Sequence, residues 1–301
     1  MYSNKYWRRT TSDAHGIAFE PTKGALASMA WASTTSPTGP KPTGLRLRRH
    51  WNRVVINPLR YAGVEIPKPD GRQRLLGIPT VLDRLIQQAM AQILMPIFDP
   101  GFSTRSYGFR PHRSAHQAVQ QVQSDIQHNR RHAVDIDLSK FFDRVNHDLL
   151  MTRLSRKVQD KRVLRLIKRY LRAGVLLGDR VEVSQQGVPQ GGPLSPLLGN
   201  ILLDTLDKEL ERRGHRFARY ADDIIIVLGS QRAGERVLRS LTRYLEQRMK
   251  LVVNTSKSRV VKVSGSQFLG FTFRAGRIHW HPKSLEAFKR RVRELTNRNW
   301  G

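Results

Sequence analysis

The 301-residue sequence contains no cysteine. This absence excludes disulfide bonds, zinc sites with thiolate ligands and a cysteine nucleophile, and it fits a cytoplasmic protein. The sequence also lacks any run close to the roughly 18 apolar residues that a membrane-spanning helix needs. Its first residues, "MYSNKYWRRTTSDAHG", do not include the apolar core of a signal peptide. These absences predict a soluble protein without a membrane partner.

Motifs for several common activities are missing as well. The sequence has no G-x-x-x-x-G-K-[ST] loop, which argues against an NTPase of the P-loop class. It has no G-x-S-x-G motif, which argues against acyl transfer by a nucleophilic serine. None of the 10 histidines stands in a spacing typical of a metal site with a neighbouring acid. The histidines are therefore interpreted as structural.

Acidic residues are scarce beside basic ones. Lys and Arg total 53 against 24 Asp and Glu, which gives a formal net charge of +29. Any single cluster of cations could be a solvated face, but the excess runs along the whole chain. A chain with such a charge repels itself unless it has a polyanionic partner. The composition therefore predicts binding to nucleic acid. An anionic membrane is less consistent, because no basic segment is flanked by an apolar anchor.

The order of the elements predicts an α+β fold that follows a disordered tail and linker over residues 1–44. Residues 33–44 read "STTSPTGPKPTG", a composition that cannot bury a core. Capping patterns at Thr80 and Ser114 each precede an apolar stripe at helical spacing, so we expect two helices that pack in the core. The first stripe is Leu82, Leu85, Ile86, Ala89 and Ile93; the second is Ala115, Ala118, Val119, Val122 and Ile126. A long helix should run from about Leu194 to Arg213 and end at Gly214.

Two predicted strands carry acidic residues beside buried positions. In "HAVDIDLSKFF", apolar residues alternate with Asp135 and Asp137, which is the period of a strand. The stretch "RYADDIIIV" reads as strand, tight turn and strand, with Asp222 and Asp223 at the turn. An acidic pair in a turn is compatible with a solvated hairpin tip. Alternatively, the acids share Mg²⁺, because this ion takes oxygen ligands and two such ions can support phosphoryl transfer.

Five stretches, in this order, resemble the reverse transcriptases that bacterial group II introns encode: "IPKPDGRQRLLGIPTVLDRLIQQ", "SYGFRP", "DIDLSKFFDRVNHDLL", "GVPQGGPLSPLLGNILL" and "YADD". The resemblance covers about residues 64–298. It implies a right-hand polymerase fold with fingers at about 45–132 and 150–186 and a palm at about 133–149 and 187–275. Residues 276–301 would form a basic helix that leads toward a thumb, and the thumb itself is expected to be absent because the chain is truncated.

The resemblance implies a role for each acidic residue of the site. Asp137, Asp222 and Asp223 match the ligands of two Mg²⁺ ions, and Asp135 is the alternative to Asp137 on the same strand face. Phe142 matches the aromatic residue that collides with a 2′-hydroxyl and so selects deoxynucleotides. Without the resemblance, Phe142 would be interpreted as an ordinary core residue.

Further residues match positions that bind the incoming nucleotide. By resemblance, Gln190 of the "PQGG" loop lies beside the nucleotide, and Lys68 and Arg74 grip its phosphates. Lys257 matches a proposed general acid toward pyrophosphate, with a plain surface lysine as the alternative. The "FLGF" turn at residues 268–271 resembles a hairpin that grips the primer, and it could equally serve only in sheet packing.

The activity implied by the resemblance is RNA-templated addition of dNTPs to the 3′-hydroxyl of a DNA or RNA primer, with intron RNA as a further partner. One alternative is an RNA-binding splicing cofactor, a maturase fragment, with a weak polymerase centre. RNA-templated RNA synthesis is a third hypothesis, which Phe142 disfavours. The oligomeric state is not predicted from the sequence.

Overall fold

The computed structural model describes residues 7–10, 18–21, 56–67, 73–127, 130–177, 180–182 and 185–296. It divides the chain into two units, Met1–Ile56 and Asn57–Gly301. In the first unit, strands β1 (Trp7–Thr10) and β2 (Ala18–Pro21) pair antiparallel. The remainder of the predicted tail and linker at 1–44 lies outside the described residues. Within the ranges given above, no helix has both the length and the apolar character to cross a membrane.

The second unit combines helices with two four-stranded sheets and one hairpin. Its described helices are α1 (Val81–Phe98), α2 (Ala115–Gln127), α3 (His147–Ser155), α4 (Lys161–Arg172), α5 (Ser195–Arg212), α6 (Gln231–Arg248) and α7 (Pro282–Leu295). Its described strands are β3 (Tyr61–Pro67), β4 (Gln73–Ile78), β5 (His132–Ile136), β6 (Val175–Leu177), β7 (Arg180–Glu182), β8 (Arg216–Tyr220), β9 (Asp223–Leu228), β10 (Arg259–Lys262), β11 (Phe271–Arg274) and β12 (Arg277–Trp280).

The central sheet is antiparallel and has the strand order β10-β5-β9-β8. Its two faces pack against different groups of helices because successive side chains of a strand point to opposite faces. Val134, Ile136 and Ile226 belong to one cluster with apolar residues of α3, α5 and α6. Ala133 and Ile225 belong to a second cluster with apolar residues of α2 and of the β11–β12 hairpin. Helices and strands thus hold the middle of this sheet from both sides.

The second sheet has the order β4-β3-β6-β7, with β3 and β6 parallel and the other pairs antiparallel. The hairpin predicted for "IPKPDGRQR" is present, because Pro67 pairs with Gln73 and Ile66 pairs with Arg74. Its tip at 68–72, which includes Lys68, lies outside the described residues. The hairpin is confirmed as a backbone feature.

The predicted core stripe of α1 is wrong, although the helix and its start are confirmed. The Thr80 hydroxyl accepts a hydrogen bond from the Asp83 backbone amide, as the capping pattern predicts. However, Leu82, Leu85 and Ile93 are 65%, 54% and 67% exposed. Ala89 is also exposed, and Ile86 is only partly buried. The buried face consists instead of Asp83, Gln87, Met90, Ala91, Leu94 and Phe98.

Hydrogen bonding explains why polar residues occupy that face. Asp83 Oδ1 accepts from the Tyr170 hydroxyl at 3.0 Å, and Gln87 Nε2 donates to the Tyr61 hydroxyl at 3.1 Å. Buried polar groups are tolerated when they are hydrogen-bonded. The buried face of α1 therefore begins with two polar residues. A prediction based only on the spacing of apolar residues chooses the exposed face instead.

The other predicted helices agree with the structure. Helix α2 begins where the Ser114 and Gln117 side chains cap each other's backbone amides, and Ala118, Val119 and Val122 are buried. Helix α5 ends before Gly214, whose φ of +71° provides the left-handed conformation of a helix stop.

Candidate active site

The acidic pair of "YADD" lies at the tip of the β8–β9 hairpin. Tyr220 pairs with Asp223, so Ala221 and Asp222 form a two-residue turn. Ala221 has a φ of 56°, a left-handed conformation that a non-glycine residue adopts at some cost. This turn places Asp222 at the tip and makes Asp223 the first residue of β9. The strand, turn and strand predicted for this stretch are confirmed.

Asp137 lies at the same edge of the sheet as this turn. Strand β5 ends at Ile136, which pairs with Ile224 of β9, and Asp137 follows directly. The Asp137 backbone amide donates to Ser258 Oγ at 3.0 Å, and its carbonyl accepts from the Asn254 amide at 2.9 Å. Because β5 and β9 run antiparallel, the end of one strand meets the start of the other. The backbone thus brings Asp137 next to Asp223.

The carboxylates at this edge influence one another electrostatically. Although Asp223 keeps access to solvent, desolvation by the surrounding protein and repulsion from Asp222 and Asp137 raise its pKa to about 6. Each of these two repulsions favours the protonated form. Asp223 is therefore electrostatically coupled to both Asp222 and Asp137.

Asp135 extends this acidic group into the sheet. Burial raises its pKa to about 7, repulsion from Asp223 contributes in the same direction, and Arg259 opposes the shift. Its Oδ1 atom is buried without a hydrogen-bond partner. We call Asp135, Asp137, Asp222 and Asp223 the carboxylate group. One cation lies close to this group: Lys257 Nζ is 3.7 Å from Asp137 Oδ2, and both side chains are substantially exposed.

The donor chemistry of the carboxylate group fits a hard divalent cation. Among the residues that the structure describes, no three acidic or histidine side chains converge closely enough to form a metal site by themselves. Mg²⁺, however, is typically held by one or two carboxylates, with water and substrate phosphates as the other ligands. The repulsion that raises the pKa of Asp223, together with the buried Asp135 oxygen that lacks a hydrogen-bond partner, is what a bound cation would relieve.

A buried arginine supports the turn from inside the protein. Arg219 and Asp207 are both fully buried, and the guanidinium binds both carboxylate oxygens at 2.7 and 2.6 Å. It also donates to Asn200 Oδ1 at 2.9 Å, to Ser106 Oγ at 2.7 Å and to the Ala221 carbonyl at 2.9 Å. We call these residues the Arg219 cluster. It links α5, the loop before α2 and the YADD turn.

The "SYGFRP" motif lies against the edge of β8. The Tyr107 amide donates to the Arg219 carbonyl at 2.8 Å, and the Arg219 amide donates to the Arg105 carbonyl at 3.0 Å. Gly108 approaches the turn so closely that an added Cβ would lie 2.3 Å from the Ala221 nitrogen. Only glycine fits at such a distance. Sequence reasoning recognised this motif but missed its contact with the turn and the Arg219 cluster. The available signal was Arg219, which directly follows the buried residues Phe217 and Ala218 in β8.

The segment after Asp137 meets the "PQGG" loop. The Val188 amide donates to the Phe142 carbonyl at 2.6 Å, and Gln190 Nε2 donates to Asp143 Oδ1 at 3.1 Å. Phe142 is only partly buried and packs edge-on against buried Phe141 at 5.0 Å between ring centroids. The structure therefore brings Phe142 and Gln190 together.

The "PQGG" loop also contacts the second sheet. The Gly77 amide of β4 donates to the Gln190 carbonyl at 2.7 Å. Gly191 has a φ of 124°, and a Cβ there would lie 2.7 Å from the Gly77 carbonyl oxygen. Glycine is thus required both for the backbone conformation and for the close approach. Of the two predicted phosphate-binding residues, Lys68 lies outside the described residues, and only the backbone of Arg74 is described.

The "FLGF" turn has the geometry of a tight hairpin. Phe268 and Phe271 exchange backbone hydrogen bonds, and Leu269 and Gly270 between them have positive φ values of 49° and 83°. Phe268 is buried in the cluster that includes α2 and β9. Its contribution to packing is therefore confirmed, and contact with a primer stays a prediction.

Comparisons with known proteins agree with this geometry. The family described as "Reverse transcriptase (RNA-dependent DNA polymerase)" matches residues 66–273. Protein YkfC of Escherichia coli (strain K12) is 34% identical over 252 residues, covering 71% of this chain and 66% of that protein. Group II intron-encoded protein LtrA of Lactococcus lactis subsp. cremoris is 29% identical over 275 residues, covering 70% of this chain and 46% of that protein. The chain thus spans less than two thirds of the length of these relatives.

A solved structure shares the fold. The structure of apo telomerase from Candida Tropicalis superposes with a TM-score of 0.60 and covers 93% of this chain and 57% of that chain. Its sequence is 12% identical, so the likeness concerns the fold alone. The α+β class and the arrangement of fingers and palm expected from the sequence are consistent with this neighbour.

Proposed function

The chain belongs to the reverse transcriptase family, and from this premise we propose that it is an RNA-directed DNA polymerase. In the proposed reaction, the 3′-hydroxyl of a DNA or RNA primer attacks the α-phosphate of a dNTP opposite an RNA template. The observation that carries the proposal is the electrostatic coupling of Asp223 with Asp222 and Asp137 where β5 and β9 meet.

The carboxylate group would hold the divalent cations of this reaction. Asp137, Asp222 and Asp223 are the proposed ligands of two Mg²⁺ ions, with Asp135 behind them in the sheet. When bound, such a pair of ions stabilises the attacking and leaving oxygens of an in-line displacement. The protein contributes rigidity, because β5 ends directly before Asp137 and pairs with β9, which begins at Asp223. The Arg219 cluster holds the turn that contains Asp222.

Residues around the carboxylate group would select and orient the nucleotide. Phe142 is only partly buried, so its ring is available to exclude a 2′-hydroxyl, and Gln190 lies in the loop that contacts the Phe142 backbone. We assign phosphate binding to Lys68 and Arg74. Lys257, 3.7 Å from Asp137, is placed where it could donate a proton to the leaving pyrophosphate, although an exposed ion pair is the alternative role.

The fold suggests which sheets and helices form the palm and the fingers of a right-hand polymerase. The central sheet with α5, α6 and the start of α3 would be the palm at about 133–149 and 187–275. The β3–β4 sheet and its helices would belong to fingers at about 45–132 and 150–186. The contact between Gly77 of β4 and the Gln190 carbonyl would then hold the fingers sheet against the nucleotide loop.

A second candidate function is RNA binding in support of intron splicing. The net charge of +29 and the similarity to a protein named group II intron-encoded protein LtrA favour it. In that case intron RNA is the principal partner, and splicing assistance should survive removal of the carboxylates. Substitutions of Asp222 and Asp223 therefore distinguish the polymerase function from the splicing function.

Primer extension tests the proposed polymerase activity directly. A primer annealed to RNA is incubated with dNTPs and Mg²⁺, and extension is compared for wild type, Asp222→Ala and Asp148→Ala. Asp148 is an exposed acid at the start of α3 and is the matched control. We expect extension by wild type and Asp148→Ala and loss of extension in Asp222→Ala and after chelation of Mg²⁺. Equal extension by wild type and Asp222→Ala would reject the assignment.

A further inference from the structure

The buried residue His147 contacts the backbone just before the "PQGG" loop. His147 is the first residue of α3, and it is only 6% exposed. Its Nε2 atom lies 2.7 Å from the carbonyl oxygen of Gly187, which is 40 positions further along the chain. A carbonyl oxygen can only accept a hydrogen bond, so Nε2 carries a proton and donates it. The ring thus joins the start of α3 to the residue two positions before Pro189.

The start of α3 gives this ring a fixed position. The Asn146 side chain caps the helix by accepting from the Leu149 amide at 3.0 Å. Leu150 and Leu154 of the same helix are fully buried in the main core. Burial lowers the pKa of His147 below its usual value, although the hydrogen bond to Gly187 opposes this shift. A neutral imidazole is therefore held in place by a capped and packed helix.

Two backbone hydrogen bonds act together with this side-chain contact. The Gly187 amide donates to the Val145 carbonyl at 2.7 Å, and the Val188 amide donates to the Phe142 carbonyl at 2.6 Å. The three hydrogen bonds fasten Gly187 and Val188 to the segment that carries Phe142. Among these three, the bond from His147 is the one that a substitution can remove without changing the backbone.

The position of Gln190 depends on these hydrogen bonds, because it follows Val188 after a single proline. Gln190 has two further contacts: its Nε2 atom donates to Asp143 Oδ1 at 3.1 Å, and its carbonyl accepts from the Gly77 amide at 2.7 Å. Its side chain is only partly buried. A loop that is ordered before a ligand binds loses less conformational entropy on binding. The hydrogen bond from His147 should therefore favour any ligand that Gln190 contacts.

We propose that His147 is a positioning residue for the incoming nucleotide: through Gly187, it holds the "PQGG" loop in the conformation in which Gln190 meets the dNTP. This inference rests on the proposed polymerase function. His147 acts through the loop backbone and does not touch the nucleotide. Without the imidazole, the Gly187 carbonyl is buried without that donor, and such a group is costly unless the loop moves. The affinity for dNTP should then fall, while the chemistry at the carboxylate group is retained.

Two substitutions separate the hydrogen bond from the bulk of the ring. His147→Leu removes the donor, whereas His147→Gln keeps an Nε2 donor at a similar reach. Steady-state extension of a short primer–RNA duplex gives the KM for dNTP and the kcat of each protein. For His147→Leu, we expect the KM to rise by about 5- to 50-fold, and kcat to stay within about 2-fold of wild type. His147→Gln should restore most of the wild-type KM.

A control on the same helix accounts for a general weakening of α3. Leu149→Ala truncates a side chain that is partly buried against the main core. It should lower the melting temperature without raising the KM for dNTP. The proposal is wrong if Leu149→Ala raises this KM as much as His147→Leu does. It is also wrong if His147→Leu lowers the melting temperature and leaves the KM unchanged, because His147 would then serve packing alone.

Hydrogen exchange examines the same loop without any turnover. The amides of Gly187 and Val188 should exchange faster in His147→Leu than in wild type, and so should the Gly77 amide, whose acceptor is the Gln190 carbonyl. In His147→Gln their exchange should be close to that of wild type, and the amides of β9 should not change in either variant. Unchanged exchange at Gly187 and Val188 in His147→Leu would overturn the proposal.

The two measurements also distinguish this inference from the proposed function. If wild type does not extend the primer, the polymerase assignment fails, and hydrogen exchange still decides whether His147 holds the loop. If wild type extends the primer and His147→Leu has the KM of wild type, the positioning role fails and the polymerase assignment stands.

Discussion

Two sets of charged residues lie at the YADD turn, and they differ in whether their charges are paired within the protein. In the Arg219 cluster, a fully buried guanidinium has Asp207, Asn200, Ser106 and the Ala221 carbonyl as partners. In the carboxylate group, by contrast, Asp223 is repelled by Asp222 and Asp137, and one buried oxygen of Asp135 has no hydrogen-bond partner.

The difference indicates that the Arg219 cluster stabilises the fold and that the carboxylate group is arranged to bind a ligand. Breaking a buried and fully paired ion pair is costly, because the remaining partner is left uncompensated. Carboxylates that repel one another instead cost stability until a cation arrives. The Arg219 cluster should therefore be required for folding, and the carboxylate group should be required for activity. The following predictions test that division.

Substitution of Asp223 should have the largest effect on activity and little unfavourable effect on stability. Asp223→Asn removes a ligand whose cation supplies several kcal/mol of transition-state stabilisation, so extension should fall by at least about 10³-fold. The melting temperature should not fall, because a repelled charge is removed. Extension assays and thermal denaturation check both parts. A variant that unfolds readily, or one that extends primers normally, would contradict the division.

Substitution of Arg219 should have the largest effect on stability. Arg219→Met leaves the buried Asp207 unpaired and should lower the free energy of unfolding by about 3–5 kcal/mol. Arg219→Lys keeps the charge but loses the bidentate geometry, so its loss should be smaller. Urea denaturation measures both variants. A loss below about 1 kcal/mol in the methionine variant would show that the cluster does not support the fold.

Asp135 should destabilise the protein in a pH-dependent manner. Its pKa rises from 3.8 to about 7 on folding, so the folded state binds the proton more tightly than the unfolded state. The cost of ionisation is absent below pH 3.8, grows as the pH rises and is fully present above about pH 7. Asp135→Asn should therefore stabilise the protein at pH 8, by at most about 4 kcal/mol at about 1.36 kcal/mol per pKa unit.

The control for Asp135→Asn is the same comparison at acid pH. Near pH 4 the advantage of the variant over wild type should disappear, because Asp135 is then protonated in the folded protein. Denaturation of both proteins across the pH range gives the two curves. If the free energies of unfolding of the variant and wild type differed by the same amount at every pH, burial of the Asp135 charge would not be the cause of the difference.

Ser106 should have the smallest effect of these substitutions. Ser106→Ala removes one acceptor from Arg219, whose other partners remain, so the loss of stability should be about 1–2 kcal/mol. Short-duplex extension should be retained at the temperature where the variant is folded. Urea denaturation and extension assays check the two statements. A loss as large as that of Arg219→Met would show that the cluster cannot tolerate the loss of any member.

The fold was predictable where local patterns determine it. The β-branched run after YADD, the alternation before Asp137 and the caps at Thr80 and Ser114 all produced the expected strands and helices. The buried face of α1 was not predictable from apolar spacing, because Asp83 and Gln87 begin it and are satisfied by Tyr170 and Tyr61 from distant parts of the chain. Long-range hydrogen bonds of this kind leave no periodic signal.

The same limit applies to the site. The positions of Asp137, Asp222 and Asp223 follow from strand ends and a turn, which the sequence indicates. Apart from Ala221, the partners of Arg219 in its cluster lie between 12 and 113 positions away in the chain, so only the structure reveals the cluster. Asp135 was recognised as an acid on the same strand face, but its buried, unpartnered oxygen was not foreseen. The roles assigned to Lys68, Arg74, Phe142, Gln190 and Lys257 stay predictions.

Anomalous diffraction from crystals grown with primer–template, dNTP and Mn²⁺ tests the central claim most directly, because Mn²⁺ can replace Mg²⁺ and is located by its own signal. The account predicts Mn²⁺ coordinated by Asp137 and by at least one of Asp222 and Asp223, beside the triphosphate. Mn²⁺ bound elsewhere in a complex with ordered nucleotide, with these carboxylates pointing apart, would contradict it.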